Sequence, residues 1–338
     1  MGSPSRLTRA ALILVLICLA ATACRATAQV SFTETASGGR AQTGPEAADS
    51  ATGSTLDGSS SRIQDDANPF SDPIAGGGVD FRLTRDDVAC GDEDLNIYPS
   101  ADFLTVHVVV DGNLGAACFG EPDARLTRAW QILASITPAG QLHDLGLFGG
   151  FVSNERGETT LAFVNRLDFE GSVFQMSVNL DEAEADPDEL MLTMAHEFSH
   201  VFTALSTQID RFGFPQDCET WDNGEGCYLE DSLIWEWIET FWGDELVSQV
   251  DPFESPTGAL GDQRCSVNPG FLGSYAASHP EEDFAETFSA FVFQLDVDTP
   301  QLREKMKWFA SQPGLAEFRN LAVEAGLGPL PNHFPRCG

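Results

Sequence analysis

His196-Glu197-Phe198-Ser199-His200 is the stretch of this sequence best equipped to do chemistry. Histidines four apart on an α-helix stand one turn above each other on one face. From there both imidazoles reach one tetrahedral Zn²⁺, with Zn–N bonds of about 2.0–2.1 Å. Glu197 lies one step round the helix, where it addresses a water on the metal rather than the metal itself. The flanks predict that helix. Asp186-Pro187-Asp188-Glu189 supplies an N-cap acid, a proline at the first helical position and a capping-box glutamate. Leu190, Met191, Met194, Phe198 and Val201 then form an apolar face.

Two histidines leave a catalytic zinc site one ligand short, and two histidines with a glutamate and a water are a known set. The run from Ser274 to Phe288 reads as a loop entering a helix, with Ser278 as N-cap and Glu281 as its capping-box partner. Glu282 and Glu286 are then i and i+4 on one face, which suits a ligand carboxylate with a supporting carboxylate behind it. Glu281 and Asp283 read as helix N-terminal charges favoured by the macrodipole.

Glu-Asp-Phe-Ala-Glu at 282–286, after an HExxH motif, resembles the third-ligand helix of gluzincin metallopeptidases. The wider pattern Ser274-Tyr275…Glu282…Ala285-Glu286…Phe288 resembles the catalytic helix of the anthrax lethal factor-type peptidases. It is also similar to bacterial envelope zinc peptidases that carry an EDFAE motif. The resemblance implies a zincin-like fold, Zn²⁺ as cofactor and peptide-bond hydrolysis. It implies Glu282 as a zinc ligand, Glu286 as the residue that orients a zinc-binding histidine, and Tyr275 as a participant in the reaction. It is confined to two segments, about 190–203 and 274–292. Rival signatures fail: a metzincin needs Gly at 203 and His at 206, where this chain has Thr203 and Ser206. No GTxxxD run follows to make an aspartate the third ligand.

These residues need an exported, folded frame. Residues 1–23 read as a signal peptide: Arg6 and Arg9 precede an apolar stretch from Ala10 to Ala23, too short at about 14 residues to span a membrane. Ala21-Thr22-Ala23 before Cys24 resembles a lipobox, which would leave Cys24 as a lipid anchor. Cleavage after Ala26-Thr27-Ala28 would instead give free secretion. Residues 24–80 are rich in Ala, Gly, Ser and Thr and read as a disordered tether, or else a pro-segment. Residues 81–338 form the metallopeptidase domain, with 42% apolar content over the whole chain, ample for a core.

Six cysteines remain after Cys18 and Cys24: Cys90, Cys118, Cys218, Cys227, Cys265 and Cys337. An even number in an exported protein implies disulfides, and Cys218–Cys227 is the most local pair. No CxxC pair supports a cysteine metal site.

Leu104 to Val110 predicts an inner strand, Arg125 to Ile136 a helix, and Thr159 to Leu180 one or two strands before the histidine helix. Glu230 to Val250 predicts one helix with Ile234, Trp237, Ile238, Phe241 and Leu246 as a core stripe. Short helices fill 279–326, broken at Pro313-Gly314. The fold class is α+β, a mixed sheet before a mainly helical C-terminal half.

A net charge of −34 argues against nucleic acid, which needs a basic footprint, and against adsorption on anionic lipid. It describes a solvated surface, and suits high salt as well. His107 falls in a strand, and His143 and His333 in loops, all read as surface or satisfied histidines. His279 falls in the first turn of the Glu282 helix, in a structural or substrate-facing role. Glu219 to Glu230 echoes a calcium loop but has Trp221 where an acid belongs. The function expected is a zinc-dependent endopeptidase of the cell envelope, with a peptide or protein as substrate. In it His196, His200 and Glu282 bind the metal, Glu197 and Tyr275 are catalytic, and membrane contact is only through the lipid. The alternative is a non-catalytic zinc-binding envelope lipoprotein.

Overall fold

The structure is a computed structural model, and it describes Cys90 and residues 101–153, 160–332, 334 and 336–338. The segments read as signal peptide and tether, Cys24 and His333 lie outside the described residues.

A hairpin opens the domain, β1 (Ala101–Val110) with β2 (Asn113–Gly120). Helix α1 (Ala124–Ile136) follows, started by Asp123, whose side chain accepts from the Arg125 N–H. Then come β3 (Leu145–Ser153), β4 (Ala162–Arg166) and β5 (Phe174–Asn179). The five strands form one mixed sheet in the order β2-β1-β3-β5-β4, in which only β3 and β5 run parallel. β1 is therefore an inner strand, as its β-branched run predicts. β4 forms an edge and, among the described residues, pairs only with β5.

Helix α2 (Leu180–Ala185) runs almost directly into α3 (Pro187–Thr203), which carries the histidine pair. Asp186 caps α3 by accepting from the N–H groups of Asp188 and Glu189. The Asp186 N–H donates to the carbonyl of Glu182, because α2 ends on the same residue. A disulfide-closed ribbon of β6 (Ile209–Asp210) and β7 (Cys227–Tyr228) follows.

The single helix expected over 230–250 is interrupted. It starts later, at α4 (Leu233–Trp237) with Ser232 as N-cap, passes through one wide turn at Ile238–Trp242, and resumes as α5 (Gly243–Val247). Gly243 has φ of 62°, a left-handed conformation that breaks the helical path. Helices α6 (Gly258–Val267), α7 (Pro280–Val292), α8 (Pro300–Ser311) and α9 (Pro313–Glu324) complete the order, with the α8–α9 break where it is expected. The result is an α+β domain, a five-stranded mixed sheet with a helical second half.

All six cysteines are paired, as Cys90–Cys118, Cys218–Cys227 and Cys265–Cys337. These disulfides indicate an oxidising, extracytoplasmic location. No helix among the described residues is long and apolar enough to cross a membrane.

The core joins two zones. Near the sheet, Trp130 of α1 meets Phe148 of β3 edge-on at 5.2 Å. Between the helices an aromatic cluster fixes α3 against α7. Phe202 lies 5.4 Å from Phe288, Phe288 lies 5.2 Å from Phe318, and Phe284 lies 5.0 Å from Phe309. Such rings bury large areas and prefer tilted contacts, so they set the spacing of the two helices that carry the site.

Candidate metal centre

Three ligand atoms converge where α3 faces α7. Nε2 of His196 and Nε2 of His200 are 3.2 Å apart. Oε2 of Glu282 is 3.1 Å from the first and 3.5 Å from the second. A tetrahedral centre with bonds of about 2.0–2.1 Å would separate its ligand atoms by about 3.3 Å, so the triangle has the size of one face of that tetrahedron. Oε2 of Glu282 is buried and, despite its nearness to both rings, makes no aligned hydrogen bond. A buried lone pair left in this way is costly unless something else takes it up. The donor set fits a divalent metal, and among the described residues it is the only group of its kind.

The same three groups are coupled electrostatically. Burial by itself disfavours a charged imidazole, but the Glu282 carboxylate outweighs it. It raises His196 to about 9 and His200 above the ordinary histidine value. Burial works against the Glu282 carboxylate too, yet the two imidazoles hold it well below the usual range. Glu286 sits behind His196, with Oε1 3.7 Å from Nδ1. Burial pushes the Glu286 carboxyl up to about 7. A proton kept on Nδ1 of His196 leaves Nε2 free as a lone-pair donor toward the metal.

Glu197 and Tyr275 border the same space. Burial raises the Glu197 carboxyl above its ordinary value, opposed by the two histidines. The Tyr275 ring lies 6.1 Å from that of His196 at an interplanar angle of 34°. Burial of its hydroxyl and the neighbouring carboxylates of Glu282, Glu197 and Glu286 push its pKa up, so it remains a hydrogen-bond donor. The six residues singled out for metal and catalysis thus meet in one place.

Two clefts adjoin at the site. On the His200 side a cleft of about 840 Å³ is walled by β4 from Ala162 to Arg166 and by Trp221, Tyr228 and Glu281. On the other side a cleft of about 700 Å³ is walled by Leu161, Leu192, Thr193 and Glu286. His196, Glu197, Tyr275 and the edge-strand residues Ala162 and Phe163 line both. The disulfide-closed loop supplies Trp221, whose indole N–H donates to Glu281 at 2.9 Å.

The start of α7 departs from expectation. Ser278 does not cap it; its hydroxyl donates to the Tyr275 carbonyl at 2.7 Å. His279 is the N-cap, extended at φ −141° and ψ 153°, and it makes no capping bond with its side chain. Pro280 is the cause: it takes the first helical position and forces the preceding residue out of the helical region. His279 is buried and lines the His200-side cleft. Asp283 is no solvated end charge either. It is fully buried, accepts from the indole N–H groups of Trp237 and Trp242 at 2.9 Å, and pairs with Lys305 at 2.6 Å. Burial raises Asp283 and lowers Lys305, each shift opposed by their mutual attraction.

Two further described histidines, His107 and His143, line neither cleft. His107 is buried in β1 with Nδ1 2.8 Å from the Gly115 carbonyl, and His143 lies in a short turn before β3. In the calcium-like stretch, Asp222 and Asn223 accept from the N–H groups of Gly224 and Glu225 and shape a turn. No family model matches this chain, and neither a curated protein nor a solved structure matches it.

Proposed function

We propose that the chain is a zinc-dependent endopeptidase with a zincin-like domain. One observation carries the reading: His196, His200 and Glu282 converge at tetrahedral spacing beside Glu197 and Tyr275, where two clefts adjoin. A site placed where two clefts adjoin accepts an extended chain without needing its terminus, which suits an endopeptidase over an enzyme that trims ends. The edge strand β4 offers that chain a backbone to pair with. Zinc bound there would supply Lewis acidity, lowering the pKa of a bound water toward 7 and polarising a carbonyl.

The protein's own groups would do the rest. Glu197 takes a proton from the attacking water and returns it to the leaving amine nitrogen. Tyr275 donates to the carbonyl oxygen as negative charge develops on it. Glu286, 3.7 Å behind Nδ1 of His196, favours a proton on that nitrogen and so fixes the tautomer. Export belongs to the same reading, with Cys24 as a lipid anchor on the envelope. Detergent partitioning that survives in the wild type and is lost in Cys24→Ser would bear that out.

The deciding experiment is Glu197→Gln. It leaves the three proposed ligands intact, so zinc content and thermal unfolding should be unchanged while peptide hydrolysis falls by ~10²–10⁴-fold. Wild-type turnover in that variant would refute the mechanism. Zinc binding without any hydrolysis of casein or a peptide library by the wild type would favour a non-catalytic zinc lipoprotein.

A further inference from the structure

Cations are scarce in this chain, 18 against 52 acidic residues, so one taken out of water is informative. Among the described residues three are buried, Arg211, Arg264 and Lys305. Lys305 has Asp283 as its partner, and Arg211 has Glu225 at 3.5 Å. Arg264 forms an ion pair with no described carboxylate. Its guanidinium meets backbone instead. Nε donates to the Ala277 carbonyl at 2.5 Å, Nη2 to the Ser278 carbonyl at 2.6 Å, and Nη1 more weakly to that of Gln249 at 3.3 Å.

The two strong acceptors belong to the turn that carries Tyr275 into α7. That turn is closed by the Ala277 N–H donating to Gly273 and the Ser278 N–H donating to Tyr275. One turn before Arg264 on the same face of α6 stands Gly261. A Cβ there would meet the Ser274 carbonyl oxygen at 1.7 Å and the Ser278 nitrogen at 2.8 Å. The helix backbone therefore lies directly on the turn, and only glycine permits it.

A buried guanidinium without a counter-charge is a poor way to gain stability, since an apolar side chain of similar size often does as well or better. Its planar fork, however, can hold two neighbouring carbonyls in fixed relation, which an ammonium cannot. We infer that Arg264 is a positioning residue: seated against the turn through Gly261, it sets where the Tyr275 phenol stands over the metal centre. The inference rests on the catalytic role proposed for Tyr275.

Two measurements test it on full-length, zinc-loaded protein. Arg264→Met keeps the volume and removes the fork. Its zinc content should equal wild type, and amides of residues 273–279 should exchange hydrogen faster while those of α3 do not change. Turnover of a peptide-library substrate should fall on the order of 10- to 100-fold in kcat, with KM altered less than twofold. In a Tyr275→Phe background the same substitution should add less than a twofold loss, because the group being positioned is already gone. Arg264→Lys, with one donor centre, should fall between wild type and Met, and it serves if the Met variant does not fold. Unchanged exchange at 273–279 overturns the clamp, as does an equal loss of kcat in both backgrounds. Faster exchange with a silent Tyr275→Phe would keep the clamp and defeat the catalytic role of Tyr275.

Discussion

Helices α3 and α7 face each other across the candidate metal centre and are held in unlike ways. α3 is specified by its own neighbourhood: Asp186 caps it, Pro187 starts it, and its apolar residues repeat at helical spacing. α7 has an N-cap, His279, whose side chain forms no capping bond. Its placement comes from Asp283 in the first turn, locked by two tryptophans and a lysine from 46 to 22 residues away in sequence. Local signals thus suffice to build a two-histidine face. Bringing the third ligand to it takes a buried charge network that only the finished fold can supply.

Four substitutions can break or sharpen that contrast. The largest effect is expected of Glu282→Gln, which should abolish zinc binding in metal analysis while the fold remains. Next comes Asp283→Ala. It leaves Lys305 charged in the interior and should cost about 3–5 kcal/mol in urea unfolding, with loss of metal affinity as α7 shifts. Glu286→Gln should weaken zinc affinity or hydrolysis by roughly 10–100-fold, measured by competition with a chelator. A reversal of the results for Glu282 and Glu286 would mean that ligand and support are exchanged. The smallest effect belongs to Asp186→Ala at the start of α3, about 1 kcal/mol of stability with zinc stoichiometry intact. Should Asp186→Ala prove costlier than Asp283→Ala, the contrast between the helices would fall.

The same contrast explains what could be read in advance. The histidine helix, the inner strand β1, helix α1 and the Cys218–Cys227 pair all rest on short-range patterns, and each stands where its pattern puts it. β3 was hidden by Gly149 and Gly150, since glycine within a run weakens a strand reading. The fold gives both a reason. A Cβ on Gly149 would lie 3.1 Å from the Ser177 hydroxyl, and one on Gly150 would lie 2.7 Å from Leu180. The break at Gly243 and the shift of the α7 cap to His279 turn on single residues inside otherwise helical patterns. Arg264 and Lys305 left no trace at all. Their acceptors lie 13 to 35 residues away, and no periodicity links a cation to a distant carbonyl.

The Cys265–Cys337 bond gives the molecule an order of events. Helix α6, which carries Gly261 and Arg264, is stapled to a cysteine 72 residues further along than its own. Synthesis delivers the histidine pair first, Glu282 later and Cys337 after both. A chain wired in this way owns its two-histidine helix long before the turn opposite it is fastened. Fastening it needs the remainder of the chain and an oxidant together.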